Sequence, residues 1–193
     1  FDVVLNFGGS SALREQILAG APADVFASAN PENMEQVQRS VGTVADPAVF
    51  ATNSMQIAVP RDNPGEVGGL EDLEDSKLLI GLCAAGVPCG DFGRRVLANA
   101  GVTVTVDTNE PNVRALLTKV ELGELDAAIV YATDVAAARV TGIPIPDTVN
   151  VTAQYPIAAL STAPNPGGAA VFVDFVLSGA GRVILSQSGF GTP

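Results

Sequence analysis

Histidine and tryptophan are absent from this 193-residue chain, and cysteine and lysine each occur only twice. The absence of histidine excludes Ser-His and Cys-His nucleophilic catalysis and removes the commonest metal ligand. The two cysteines have no histidine or further cysteine with which to complete a zinc site. We therefore predict that the chain is not an enzyme and that it carries no cofactor and no resident metal ion.

Positive charge is also scarce, with 10 Lys and Arg against 21 Asp and Glu and a formal net charge of −11. This balance disfavours binding to nucleic-acid phosphates or to an anionic membrane surface. The negative net charge does not exclude binding of a small anion, because surface charges are screened over about 8–10 Å whereas dipoles in a cleft act at contact range. No apolar run reaches the length of about 20 residues that a membrane-spanning helix requires.

The two cysteines, Cys83 and Cys89, lie six positions apart around a short loop. We expect them to form a disulfide, provided that the geometry permits it. A disulfide would indicate an oxidising, extracytoplasmic compartment. The alternative is a pair of independent thiols in a cytosolic protein.

Predicted strands and helices alternate along the chain, which is typical of an α/β fold with a largely parallel sheet. The predicted strands cover residues 1–7, 24–28, 55–59, 78–83, 102–107, 126–131 and 150–160. The predicted helices cover residues 12–18, 30–39, 91–100, 113–120, 134–140, 169–178 and 180–188.

A glycine-rich turn, Gly8-Gly9-Ser10-Ser11, lies between the first predicted strand and the first predicted helix. Glycine lets the backbone approach a ligand closely, and the helix directs unpaired N–H groups and its positive dipole end at that position. The two hydroxyls add donors, so the turn suits a small oxyanion. Taken alone, it is better explained as a serine N-cap after a turn.

Three further junctions lie where a predicted strand gives way to a loop or helix, at residues 86–90, 110–114 and 129–134. Ligands of open α/β sheets bind outside the carboxyl ends of the strands. The backbone N–H groups of Cys89 and Val113 and the hydroxyl of Tyr131 are therefore candidate donors. Individually, the three are also explained by a helix cap, a helix start and a buried tyrosine.

Together these segments resemble the periplasmic molybdate-binding proteins that supply ABC transporters. The resemblance covers essentially the whole chain, and its most specific parts are Gly-Ala-Pro-Ala-Asp at 20–24 and Ile-Val-Tyr-Ala-Thr-Asp at 129–134. The matching segments occur in the same order as in that family and cover residues 7–13, 20–26, 87–90, 112–114, 123–134, 155–158 and 189–190.

The resemblance implies a two-lobed, type II periplasmic-binding-protein fold that closes on one tetrahedral oxyanion. Residues 1–55 and 157–193 would form lobe I, residues 56–156 would form lobe II, and Tyr155-Pro156 would lie at a crossing between them. The chain would capture molybdate or tungstate between the lobes and deliver it to a membrane ABC permease. We expect a monomer with a periplasmic or other extracytoplasmic location.

The resemblance also implies which residues bind the ligand. The hydroxyl of Ser10, the backbone at Cys89 and Val113 and the phenol of Tyr131 would contact the oxyanion, with Ser11 as a secondary candidate. The family usually has a small residue where Cys89 stands, which is harmless if only its N–H binds. We expect Arg114 on the solvent face and Asp134 as a helix-capping acid that orients the loop of Tyr131.

The family's first strand and helix, with another ligand serine, would precede Phe1, so we expect them to be missing from this chain together with any lipid anchor. One alternative function is binding of another oxyanion such as sulfate, and a second is an oxyanion-sensing module of a regulator. An enzyme would need Ser10 or Cys89 as nucleophile with Lys77 or Lys119 as base, and no catalytic motif supports it.

Overall fold

The computed structural model describes residues 2–193, which separate into two units. Of the described residues, unit 1 contains 2–52 and Ala153–Pro193, and unit 2 contains Asn53–Thr152. The boundaries predicted from the sequence lie after residues 55 and 156. Two strands, Ala48–Pro60 (β2) and Thr152–Ala159 (β7), run through the boundaries and so carry the chain from one unit into the other.

Helices and strands alternate in both units. Unit 1 contains the start of β2, most of β7 and the elements α1 (Ser10–Leu18), β1 (Val25–Ala27), α2 (Pro31–Ser40), α6 (Pro166–Leu177) and α7 (Gly179–Gln187). Unit 2 contains the rest of β2, a 3₁₀ turn at Glu71–Glu74 and the elements β3 (Ile80–Cys83), α3 (Pro88–Ala100), β4 (Thr108–Glu110), α4 (Val113–Glu121), β5 (Ala127–Tyr131), α5 (Ala132–Ala137) and β6 (Val140–Pro144).

The strands of unit 2 lie side by side in the order β4-β3-β5-β2-β6. β3 pairs in parallel with both β4 and β5, whereas β2 pairs antiparallel with β5 and β6. The sheet is therefore mixed rather than largely parallel. Because β4, β3 and β5 run in the same direction, their carboxyl ends share one edge of the sheet, where ligands of α/β folds bind.

The core of unit 1 forms where α1 and α2 pack on the antiparallel pair β1 and β7. Spacings of three and four residues place apolar side chains on one face of each helix. Asn30 caps α2 by accepting a hydrogen bond from the Asn33 N–H, and Pro31 follows as the first helical residue. The buried cluster comprises Ile17, Phe26, Met34, Val37, Ala158 and Leu160.

The prediction of a strand over residues 1–7 is wrong for residues 2–7, and Phe1 lies outside the described residues. Residues 2–9 have no regular secondary structure and belong to no described strand ladder. Val4 is 93% and Phe7 86% exposed, so the apolar pattern of this segment does not reflect burial. Within unit 1 the segment lines a cavity of about 560 Å³ together with residues of α1, β1 and α6.

Two further predictions in unit 2 need correction. Residues 102–106 form no strand, although Val102 is buried between exposed neighbours, and the strand β4 begins only at Thr108. The helix predicted over 134–140 covers 132–137, and the strand β6 follows it. β6 contains Gly142 and Pro144, residue types that disfavour strands, which explains why it was not predicted.

No single helix among residues 2–193 is long and apolar enough to cross a membrane. The helices α6 and α7 together have the length and apolar composition of a membrane span, but the chain bends by 63° between them.

Candidate functional site

The carboxyl ends of β3, β4 and β5 bring three helix N-termini to one edge of the unit 2 sheet. α3 follows β3, α4 follows β4 and α5 follows β5, each after a short connection or none. The Ala84 N–H donates to the Glu110 carbonyl over 2.8 Å and so joins the ends of β3 and β4. Each helix directs its unpaired N–H groups and positive dipole end at this edge, which therefore suits an anion.

Cys89 lies in the first turn of α3, because the helix begins at Pro88 and not at Asp91 as predicted. Proline at the first helical position loses no intrahelical hydrogen bond. Gly90 permits the close packing of this turn on the end of β3, since a Cβ atom there would lie 2.2 Å from the Ala84 carbonyl oxygen. Among residues 2–193 the Cys89 N–H has no acceptor, so it is available to a ligand.

The predicted disulfide between Cys83 and Cys89 is confirmed. It joins the last residue of β3 to the first turn of α3, and the two Cα atoms are 5.8 Å apart. Both residues are buried. The side chain of Cys89 is committed to the crosslink, so only its backbone could contact a ligand.

Val113 is the first residue of α4, as predicted. The side chain of Asn112 caps the helix by accepting a hydrogen bond from the Ala115 N–H over 2.9 Å. This cap satisfies one of the four N–H groups that a helix N-terminus leaves without partners. The Val113 N–H has no acceptor within the described part of the chain and is the second available donor.

Tyr131 is the last residue of β5 and directly precedes α5. It is only 5% exposed, and its ring packs edge-to-face against Phe92 of α3 at 6.4 Å between centroids. This contact links the phenol to the helix that begins beside Cys89. The paired strand β2 fixes the backbone of Tyr131, which lies opposite Met55.

Asp134 in the first turn of α5 accepts a hydrogen bond from the Tyr131 backbone, which fits its predicted role beside that loop. Its Oδ2 atom is buried and has no hydrogen-bond partner among the described residues. Burial raises the pKa of Asp134 to about 6, although the Tyr131 hydrogen bond and the charge of Arg114 both act to lower it. Arg114 itself is exposed, as predicted.

Glu110 at the end of β4 forms an ion pair with Lys119 of α4, with 2.6 Å between Nζ and Oε1. Hydrogen bonds from Lys119 and from the Thr108 hydroxyl hold the pKa of Glu110 below its usual range. Glu110 is 9% exposed, so the carboxylate needs this partner in the folded state. The pair ties α4, and with it the position of Val113, to the sheet.

Ser10 belongs to unit 1, where it is the first residue of α1 and is 8% exposed. Its Oγ accepts a hydrogen bond from the Ala29 N–H over 2.9 Å. Because a hydroxyl has one donor and two acceptor positions, this bond leaves the Ser10 hydrogen free to point at another group. Ser11 follows in the first turn and is half-buried.

The structure thus places Cys89, Val113 and Tyr131 at one edge of unit 2 and Ser10 at a helix N-terminus of unit 1. The roles of Asn112 and of the ion pair formed by Glu110 and Lys119 were not predicted from the sequence. An asparagine directly before an apolar helical pattern was a sufficient signal for the cap. The ion pair had no local signal, since its partners lie on different elements.

The chemistry of this edge is that of hydrogen-bond donation rather than metal ligation. Within residues 2–193 no three His, Cys, Asp or Glu side chains are grouped so as to hold a metal ion. The donor groups described at this edge are the backbone N–H groups of Cys89 and Val113 and the Tyr131 hydroxyl, together with the helix dipoles. Such a set binds an anion without a counter-cation.

Residues 1–191 match the protein family described as bacterial extracellular solute-binding proteins. The chain belongs to this family. Proteins of this family bind solutes outside the cytoplasm. This function is not enzymatic, in agreement with the prediction from the sequence.

A relative matches over the full length of this chain, and solved structures share its fold. The molybdate-binding protein ModA of Mycobacterium tuberculosis is 38% identical over 194 residues, which cover 100% of this chain and 74% of the relative. The periplasmic molybdate-binding protein of Azotobacter vinelandii is similar in structure, with a TM-score of 0.84 at 20% sequence identity. The match covers 100% of this chain and 88% of the Azotobacter chain.

A third neighbour is the sulfate-binding protein SubI of Mycobacterium tuberculosis, with a TM-score of 0.83 at 16% identity. The match covers 95% of this chain and 73% of SubI. The two structural likenesses confirm the predicted fold class, the two-lobed α/β fold of periplasmic binding proteins.

Proposed function

We propose that this solute-binding protein binds molybdate and supplies it to a membrane ABC permease. The observation that carries the proposal is the 38% identity, over the whole chain, to a protein described as molybdate-binding. The donors would be the Cys89 and Val113 N–H groups and the Tyr131 hydroxyl from unit 2, with the hydroxyl of Ser10 from unit 1. Ser11 is a secondary candidate.

The protonation state of the ligand supports this choice. Molybdate and sulfate carry no proton near neutral pH, so a site made only of donors suits them. Phosphate usually retains one proton and prefers a site that also offers an acceptor. None of the four proposed groups is a carboxylate, and the proposed site therefore favours a fully deprotonated dianion.

The strength of such bonds makes a site of uncharged groups sufficient. A hydrogen bond to a charged group contributes about 1.5–3 kcal/mol. Charge-assisted hydrogen bonds are shorter and stronger than neutral ones. Several such bonds from donors that are held in place before binding can therefore offset the free-energy cost of dehydrating the ion. The Ser10 hydroxyl is held in this way by the Ala29 N–H, and the Tyr131 ring by Phe92.

Several finer statements belong to the same proposal. Tungstate has the same charge and shape as molybdate, and we expect it to bind as well. We also expect a monomer and no cofactor. Sulfate is the second candidate, because the sulfate-binding SubI has the same fold at a TM-score of 0.83.

Thermal unfolding in the presence of a panel of oxyanions tests the proposal. At a molybdate concentration of about 100 times Kd, binding adds about 2.7 kcal/mol to the free energy of unfolding, which raises Tm by roughly 5–10 °C for a chain of this size. We expect this shift with molybdate and tungstate and a small one with sulfate, phosphate or nitrate. No shift with either metal oxyanion in large excess would refute molybdate binding, and a larger shift with sulfate would support the second candidate.

Removal of one proposed donor tests the site itself. Tyr131→Phe keeps the ring against Phe92 and removes one charge-assisted bond, so the Kd for molybdate should rise by roughly 10- to 150-fold. Tyr155→Phe is the matched control, since Tyr155 lies in unit 1 between Phe50 and Phe190 and is outside the proposed donor set. Equal Kd values for the two variants would exclude the Tyr131 phenol from the site.

A further inference from the structure

The disulfide between Cys83 and Cys89 lies at the candidate site and not elsewhere in the fold. One end is the last residue of β3, which is fully buried and pairs in parallel with Glu110 of β4. The other end is the residue whose N–H is a proposed ligand donor. The crosslink therefore connects a rigid strand directly to the donor residue.

The segment from Cys83 to Gly90, which contains the loop at residues 84–87, is held by two further side chains of α3. The Asp91 carboxylate accepts a hydrogen bond from the Gly86 N–H over 2.9 Å. The Arg94 guanidinium donates to the carbonyls of Cys83 and Gly90 over 2.8 and 3.0 Å and also to Asn109 of β4. All of these contacts fix the first turn of α3 relative to the carboxyl end of β3.

We propose that the disulfide is a positioning element of the oxyanion site, which holds the Cys89 N–H in its binding orientation before the ligand arrives. This inference rests on the proposed function. The disulfide joins residues six positions apart and so leaves the loop between them few conformations. The entropy cost of ordering this loop on ligand binding is therefore small. Without the crosslink, Asp91 and Arg94 still favour the same loop conformation, and binding is weakened rather than abolished.

The test compares molybdate binding with and without the crosslink. In the double variant Cys83→Ala with Cys89→Ala, the Cys89 backbone N–H is retained and only the sulfur bridge is lost. We expect the Kd for molybdate to rise about tenfold, with the loss in the entropy of binding measured by calorimetry. Hydrogen exchange at residues 84–90 should be faster than in the wild type without ligand and equal to it with molybdate bound.

A control separates positioning from general stability. Leu73→Ala removes a buried side chain of unit 2 in the 3₁₀ turn, which is outside the proposed site. It should lower Tm at least as much as the double variant while leaving the Kd within twofold of the wild type. If Leu73→Ala weakens binding as much as loss of the disulfide, the positioning role is refuted.

The outcomes distinguish this inference from the proposed function. A wild-type protein that does not bind molybdate overturns both. A wild type that binds molybdate, together with a double variant whose Kd is unchanged within twofold, overturns the positioning role alone. Should the double variant fail to fold, folded wild type is reduced with a phosphine until two thiols are counted, and the same titration gives the same two outcomes.

Discussion

Replacing Asp134 by asparagine should change how the stability of the protein depends on pH. The Asp134 carboxyl has its pKa raised from 3.8 to about 6 by burial, so the folded state holds this proton more tightly than the unfolded state does. The free energy of unfolding of the wild type therefore loses a contribution as pH rises from about 4 through 6. A pKa difference of about 2 units corresponds to about 3 kcal/mol.

The asparagine variant lacks this titration and can still accept the hydrogen bond from the Tyr131 backbone. Urea unfolding at pH 4, 5, 6, 7 and 8 gives the free energy of unfolding of each protein. The free energy of unfolding of the variant minus that of the wild type should increase by about 2–3 kcal/mol between pH 4 and pH 7. It should stay constant above pH 7. Any cost of the new amide group is independent of pH and does not enter this change.

Asp147→Asn serves as the matched control, because Asp147 is an exposed carboxylate in the same unit. A flat difference for Asp134→Asn, or one that decreases with pH, would refute the conclusion that burial dominates at Asp134.

Two further predictions concern the supports of the site. Lys119→Met leaves the Glu110 carboxylate buried without its partner, so the free energy of unfolding at pH 7 should fall by about 1–3 kcal/mol. The loss should become smaller as the pH falls, because protonation of Glu110 removes the charge that Lys119 stabilises, and urea unfolding at pH 7 and at acidic pH measures it. Asn112→Ala removes the cap of α4, which should cost about 1 kcal/mol and raise the Kd for molybdate severalfold because α4 carries the Val113 N–H. Asn165→Ala removes the equivalent cap of α6 and should lower stability while leaving the Kd unchanged; equal Kd values for the two cap variants would refute the role of α4.

The elements that the sequence predicted best are those whose pattern is local. Val113, Leu116, Leu117 and Val120 repeat at helical spacing, and α4 covers Val113–Glu121. The apolar run before Tyr131 predicts a fully buried strand, and each residue of β5 is buried. In such segments burial and propensity agree, so one sequence is enough.

The wrong predictions lie where the same pattern has no structural partner. Residues 2–7 form an apolar run typical of a strand, but they are exposed and enter no described strand ladder. Residues 102–106 alternate in burial without entering a ladder. Conversely, β6 was not predicted because it contains Gly142, a residue type that disfavours strands. Pairing with β2 forms the strand nevertheless, and a Cβ atom at position 142 would lie 2.4 Å from Val135.

The candidate site was predictable in its backbone groups and less so in its supports. Glycine and proline mark the ends of strands and the starts of helices, which located the turns at Ser10, Cys89 and Val113. The burial of Asp134 and the ion pair of Glu110 with Lys119 depend on packing between distant segments. Periodicity along one chain carries no information about such contacts.

The central claim is that backbone N–H groups at two helix starts bind a doubly charged oxyanion. Amide NMR spectra recorded during a molybdate titration test it most directly, because each N–H is observed separately. We expect the amide protons of Cys89 and Val113 to shift downfield by more than those of control residues such as Ala169 in α6, and the two shifts to saturate together. Saturable binding with both amide signals unmoved would contradict the account.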